Sequence, residues 1–97
     1  MADTIIKLTA RIGDENGREI ELRGRVAWAA SQLKAAGEAG CTPITHPGPR
    51  WSGYVHKLRG FGIAVETVTE NHSGPFSGHH ARYVLRTPLT IVNEVRA

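Results

Sequence analysis

Ile6, Leu8, Ala10 and Ile12 alternate with Lys7, Thr9 and Arg11, the period-two pattern of a strand with one buried face. Gly13-Asp14-Glu15-Asn16-Gly17 supplies turn chemistry. Ile20 and Leu22 then alternate with Glu19, Glu21 and Arg23, so residues 5–23 predict a β-hairpin. At Gly24 the period changes. Val26, Ala29, Ala30, Leu33 and Ala36 recur at helical spacing and form one stripe of an amphipathic helix, with Gly37 and Gly40 as natural stops.

Thr42-Pro43 reads as an N-cap followed by proline at the first helical position. Pro47 and Gly48 then limit that second helix to one turn over about residues 43–46. Pro49 opens a third helix, whose apolar stripe is Trp51, Tyr54, Val55 and Leu58. Arg50, Ser52, Gly53, His56, Lys57 and Arg59 occupy its remaining surface, and Gly60 and Gly62 end it. Ile63, Val65, Thr67, Val68 and Thr69 give a β-branched strand. A long exposed loop is expected over 71–80, with His72, His79 and His80 in it. Ala81–Arg86 is the returning strand, Pro88 stops it, Leu89–Val92 adds a short strand, and residues 93–97 read as a frayed tail.

Strand, strand, helix, one-turn helix, helix, strand, loop, strand is the element order of a winged helix-turn-helix. The expected fold is thus a single α+β domain over residues 1–97. It has an N-terminal β-hairpin (5–23), a helical part with three helices, the second very short (24–62), and a C-terminal β-hairpin wing (63–87). In this arrangement the third helix presents its polar face to the DNA major groove.

Charge sharpens the picture. The chain has 97 residues and a net charge of +3, but the charge is unevenly placed. Residues 1–22 hold Lys7, Arg11 and Arg18 against five acids, giving −2. Residues 23–62 hold Arg23, Arg25, Lys34, Arg50, Lys57 and Arg59 against Glu38 alone, giving +5. The remainder is balanced. A basic region coinciding with the helical part is a phosphate-attracting feature. No apolar run approaches the ~20 residues of a membrane span, and the first residues lack the pattern of a secretory signal. The expectation is a cytoplasmic protein with no membrane partner. A single cysteine, Cys41, excludes an internal disulfide and reads as a small buried residue beside a turn.

Gly40-Cys41-Thr42-Pro43-Ile44, Leu58-Arg59-Gly60-Phe61-Gly62 and Val65-Glu66-Thr67 together resemble small helix-turn-helix proteins of bacterial and prophage genomes. In those proteins a Leu-Arg-x-x-Gly turn closes the recognition helix and an Ile/Val-Glu-Thr strand opens the wing. The resemblance covers about a third of the chain and implies DNA binding, as in a transcriptional regulator or prophage protein. Pro47-Gly48-Pro49 departs from it by cutting the second helix short.

Arg50, Lys57 and Arg59 are the phosphate and guanine-edge candidates; for Arg59, complementing the helix dipole is an equal alternative. Ser52 and His56 permit close groove approach. Gly53 either lets the helix backbone sit deep or permits close helix packing. On the wing, His72, His79, His80 and Arg82 are candidate backbone contacts. For Arg82 and Arg86 the alternative is pairing with Glu66 or Glu70. The histidines lack metal-ligand spacing, so no metal or other cofactor is expected. Trp51 reads as core. Trp28 lies off its helix's stripe and is read as packing on the hairpin or wing, or else as facing a partner. No catalytic motif is present, so the chain reads as a non-enzyme. Two functions stay open: double-stranded DNA binding, with a homodimer as a further expectation, and a protein-interaction module on a winged-helix scaffold, such as a phage protein acting on a host factor.

Overall fold

The computed structural model describes residues 5–13, 16–47, 50–72 and 78–96, with the side chain of His72 left out. Its elements are β1 (Ile5–Ile12), β2 (Glu19–Arg23), α1 (Gly24–Ala36), a 3₁₀ turn (Gly37–Ala39), α2 (Trp51–Gly60), β3 (Val65–His72), β4 (Gly78–Leu85) and β5 (Leu89–Arg96).

The strands form two sheets. One is antiparallel and three-stranded in the order β2-β1-β5; the other is the β3-β4 hairpin. Leu8 and Ala10 of β1 and Ile20 and Leu22 of β2 are buried. Lys7, Arg11, Glu19 and Glu21 line the opposite face, where Lys7–Glu21 (4.0 Å) and Arg11–Glu19 (3.8 Å) pair across the strands. α1 packs on β1 and β2 with one side and on α2 with another. Its buried Ala27, Ala29 and Ala30 keep that helix slim enough to lie between them.

Cys41 links the helical part to the wing. It exchanges two backbone hydrogen bonds with Tyr83 of β4, at 2.9 and 2.8 Å, as a one-residue third strand beside the hairpin. Gly40 makes that approach possible. Its φ is +71°, and a Cβ there would sit 2.6 Å from the Tyr83 carbonyl oxygen. The Cys41 side chain is fully buried, as its sequence setting predicts.

Three expectations need correction. The first is the three-helix count: the described residues form two α-helices, and the expected second helix is a single capped turn. Thr42 caps it as predicted, its Oγ1 accepting from the amides of Ile44 and Thr45 at 3.1 and 2.9 Å. The His46 amide closes the turn on the Thr42 carbonyl at 2.9 Å. The next such bond needs an amide at Pro47, which has none.

The second correction concerns the tail. Residues 93–96 belong to β5, with Asn93 opposite Thr9, Glu94 opposite Leu8, Val95 opposite Lys7 and Arg96 opposite Ile5. An isolated strand of that composition has no local reason to persist; the exposed edge of β1 supplies the missing hydrogen-bond partners. Ala97 lies outside the described residues.

The third concerns the 71–80 loop. Pairing of β3 with β4 continues through Glu70–His80, Asn71–His79 and His72–Gly78, so the strands run further out than turn-prone composition suggests. Residues 73–77 lie outside the described part.

Candidate nucleic-acid interface

α2 begins at Trp51, whose indole is 3% exposed and stands at the centre of an aromatic cluster. Trp28 of α1 (5.4 Å between ring centroids), Tyr54 (6.1 Å) and Tyr83 of β4 (5.8 Å, stacked) surround it. Trp28 thus packs on the aromatic residues of α2, Trp51 and Tyr54. Buried Trp51, Tyr54, Val55 and Leu58 fix the rotation of α2 about its axis. Its outward residues are then Ser52, His56, Lys57 and Arg59, with Gly53 half-buried.

The C-terminus of α2 explains the Leu-Arg-x-x-Gly pattern. The Gly62 amide donates to the Arg59 carbonyl (3.0 Å) and the Ile63 amide to the Leu58 carbonyl (3.2 Å). This is a Schellman motif. Gly62 supplies the positive φ of 92°, and Leu58 and Ile63, both buried, make its apolar contact. The motif turns the chain directly into the wing.

The sequence candidates separate into two groups. Arg50, Gly53 and Lys57 lie on one flank of α2 and line a groove of about 320 Å³ with Tyr54, with Arg23 at the end of β2 and with Arg25 and Val26 from the start of α1. Among the described residues, neither Arg50, Lys57 nor Arg25 makes an ion pair. Ser52 and His56 are exposed beside this flank.

The second group is engaged elsewhere. Arg59 points to the wing, where its guanidinium donates to the Val65 carbonyl (2.6 Å) and to Thr67 Oγ1 (2.9 Å). Arg82 pairs with Glu70 at 2.6 Å and also donates to the Glu38 carbonyl. Arg86 bridges Glu66 (2.6 Å) and Glu38 (2.8 Å). Those two carboxylates raise the Arg86 pKa further, chiefly through the hydrogen bond that Arg86 donates to Glu66. The hydrogen bond from Arg82 holds the Glu70 carboxyl below its usual value, burial opposes this, and His80 at 3.1 Å adds to the lowering. His79 meets the Asn71 side chain at 2.5 Å. The His72 side chain lies outside the described part. On the wing, the pairing alternative holds for both arginines.

The sequence marks Arg23 and Arg25 only as members of the +5 segment. Both sit at the hairpin–helix junction, and only the packing of α1 against α2 carries them to Arg50 and Lys57.

A two-helix unit capped by a Schellman turn, a one-residue strand at Cys41 and an antiparallel hairpin define a winged helix-turn-helix. The chain belongs to the winged helix domain family: the family model of that description matches residues 19–95. No curated protein and no solved structure matches the chain.

Proposed function

We propose that this winged helix binds double-stranded DNA as a non-catalytic protein of the transcription-regulator or prophage type. α2 lies in the major groove and presents Ser52 and His56 toward the bases, while Arg50 and Lys57, with Gly53 between them on the same flank, meet the phosphate backbone. The observation that carries this reading is the flank of α2 on which Arg50 and Lys57 lie without an acidic partner among the described residues. Cations held on a surface without counter-charge attract a polyanion, and releasing its counterions drives binding.

The experiment is fluorescence anisotropy with a labelled random-sequence duplex at low and near-physiological salt. Binding that weakens steeply with salt is the expected result. Replacing Arg50 and Lys57 together by Ala should reduce the salt slope by about 2, close to one per phosphate contact, and leave the thermal transition in place. Absence of binding by the wild-type chain at low salt refutes the reading and favours a protein partner.

A further inference from the structure

We infer that the groove between the start of α1 and α2 is the seat of a backbone phosphodiester, formed by Arg23, Arg25, Arg50 and Lys57 over Gly53. This rests on the DNA-binding reading and adds to it where the duplex backbone is gripped: on the flank of α2 facing α1, away from the wing.

Three observations carry it. Four cations from two helices and a strand end line a single groove whose lining, among the described residues, includes no acidic side chain. Among the described residues Arg25, Arg50 and Lys57 have no carboxylate partner, and Arg23 alone of the four pairs with one, Glu21, whereas Arg82 and Arg86 of the wing are both held by carboxylates.

Arg25 is also pre-positioned. Its guanidinium lies 4.3 Å from the centroid of the Trp28 ring, and its Nε is 3.4 Å from the Tyr54 hydroxyl oxygen. Stacking on an aromatic face holds the planar fork while leaving its edge N–H groups to donate, which suits the paired oxygens of a phosphate.

Among the described residues nothing packs closely enough to require glycine at position 53: a Cβ there would meet the Arg50 Cβ at an ordinary 3.9 Å, yet glycine within a helix costs about 1 kcal/mol relative to alanine. The missing side chain leaves the groove floor open between Arg50 and Lys57, on the same helical flank. The space that close packing would have claimed is left to a ligand.

Glu21 marks the groove's limit. It pairs with Arg23 at 2.5 Å and lines the adjoining hollow with Lys57 and Phe61. Its charge competes with a phosphate for Arg23.

The test compares Gly53→Ala, Arg23→Gln, Arg25→Gln and Glu21→Gln with wild type, by thermal melting and by salt-dependent anisotropy on the labelled random duplex. Gly53→Ala should melt at the same or a higher temperature yet bind several-fold more weakly. Arg25→Gln and Arg23→Gln should each lower the salt slope by about 1, and Glu21→Gln should tighten binding. Arg23, with a side chain 70% exposed, can be replaced without disturbing the core, so a loss of folding in Arg25→Gln leaves the test intact. If wild type binds and Gly53→Ala and Arg23→Gln bind identically to it, the phosphate seat is wrong while DNA binding by α2 stands. If wild type does not bind, both fall together.

Discussion

The indole N–H of Trp51 donates to the backbone carbonyl of His46 at 2.7 Å. This bond ties Trp51, the first residue of α2, to the end of the one capped turn that replaces a full second helix. The turn closes a single helical hydrogen bond of its own, so its placement relies on this contact and on the Thr42 cap.

Trp51 is consequently more than a space-filler. Trp51→Phe keeps most of the ring and removes the donor, and should cost about 1 kcal/mol in denaturant unfolding. Trp51→Ala empties the centre of the aromatic cluster and should cost about 3–5 kcal/mol. A Phe variant as stable as wild type would show that the turn does not depend on the bond.

Gly40→Ala should be among the most damaging small substitutions in the chain. The backbone there has φ +71°, and the new methyl would lie 2.6 Å from the Tyr83 carbonyl oxygen. Relief means breaking the Cys41–Tyr83 bridge. We expect a loss of about 2 kcal/mol or more, read by urea unfolding, together with loss of protection of the Cys41 and Tyr83 amides in hydrogen exchange.

Burial pushes the Cys41 thiol up to about 11, from 9.0, so folding favours the protonated form. Stability from this group is complete below about pH 9 and declines as pH rises from 9 to 11, because the unfolded chain ionises first. Denaturation followed against pH should show this alkaline loss, and Cys41→Ala should lack that component. Under native conditions the thiol should react with disulfide reagents only as fast as the protein opens.

Acid acts on the wing in the opposite direction. The hydrogen bond from Arg82 keeps the Glu70 carboxyl below its ordinary value, helped by His80. This contribution is present above the usual carboxylate range and is lost as pH falls through the lowered value, since the unfolded state takes the proton first. The protection factors of the Thr69 and Ala81 amides, opposite each other beside this pair, should therefore fall in acid once the intrinsic pH dependence of exchange is divided out. Glu70→Gln should be less protected at neutral pH and should lack that part of the acid dependence.

Arg59 provides a contrast with the groove cations. Its guanidinium is spent on Val65 and Thr67, so Arg59→Ala should loosen the junction between α2 and the wing, seen as faster exchange at Thr67 and Val68. Its salt slope on DNA should stay near the wild-type value. A slope lowered by about 1, as a lost phosphate contact gives, would return Arg59 to the interface.

Local chemistry made much of this protein legible from its sequence. The burial of Leu8 and Ala10 in alternation with Lys7, Thr9 and Arg11, the Thr42-Pro43 cap, the stripe of Trp51, Tyr54, Val55 and Leu58, and the Leu58–Ile63 turn each depend on residues within a few positions of one another. Periodicity and backbone preference read such features directly. Ile6 breaks the alternation, exposed where Ile5 is buried, at a register shift between Ile5 and Lys7. Tertiary structure alone decided three things: that Asn93–Arg96 pairs with β1, that Arg59, Arg82 and Arg86 are taken up at the wing, and that Arg23 and Arg25 meet Arg50 and Lys57. Each depends on partners far apart in the chain, and neither a strand edge nor an ion pair leaves a periodic trace in the segments that form it.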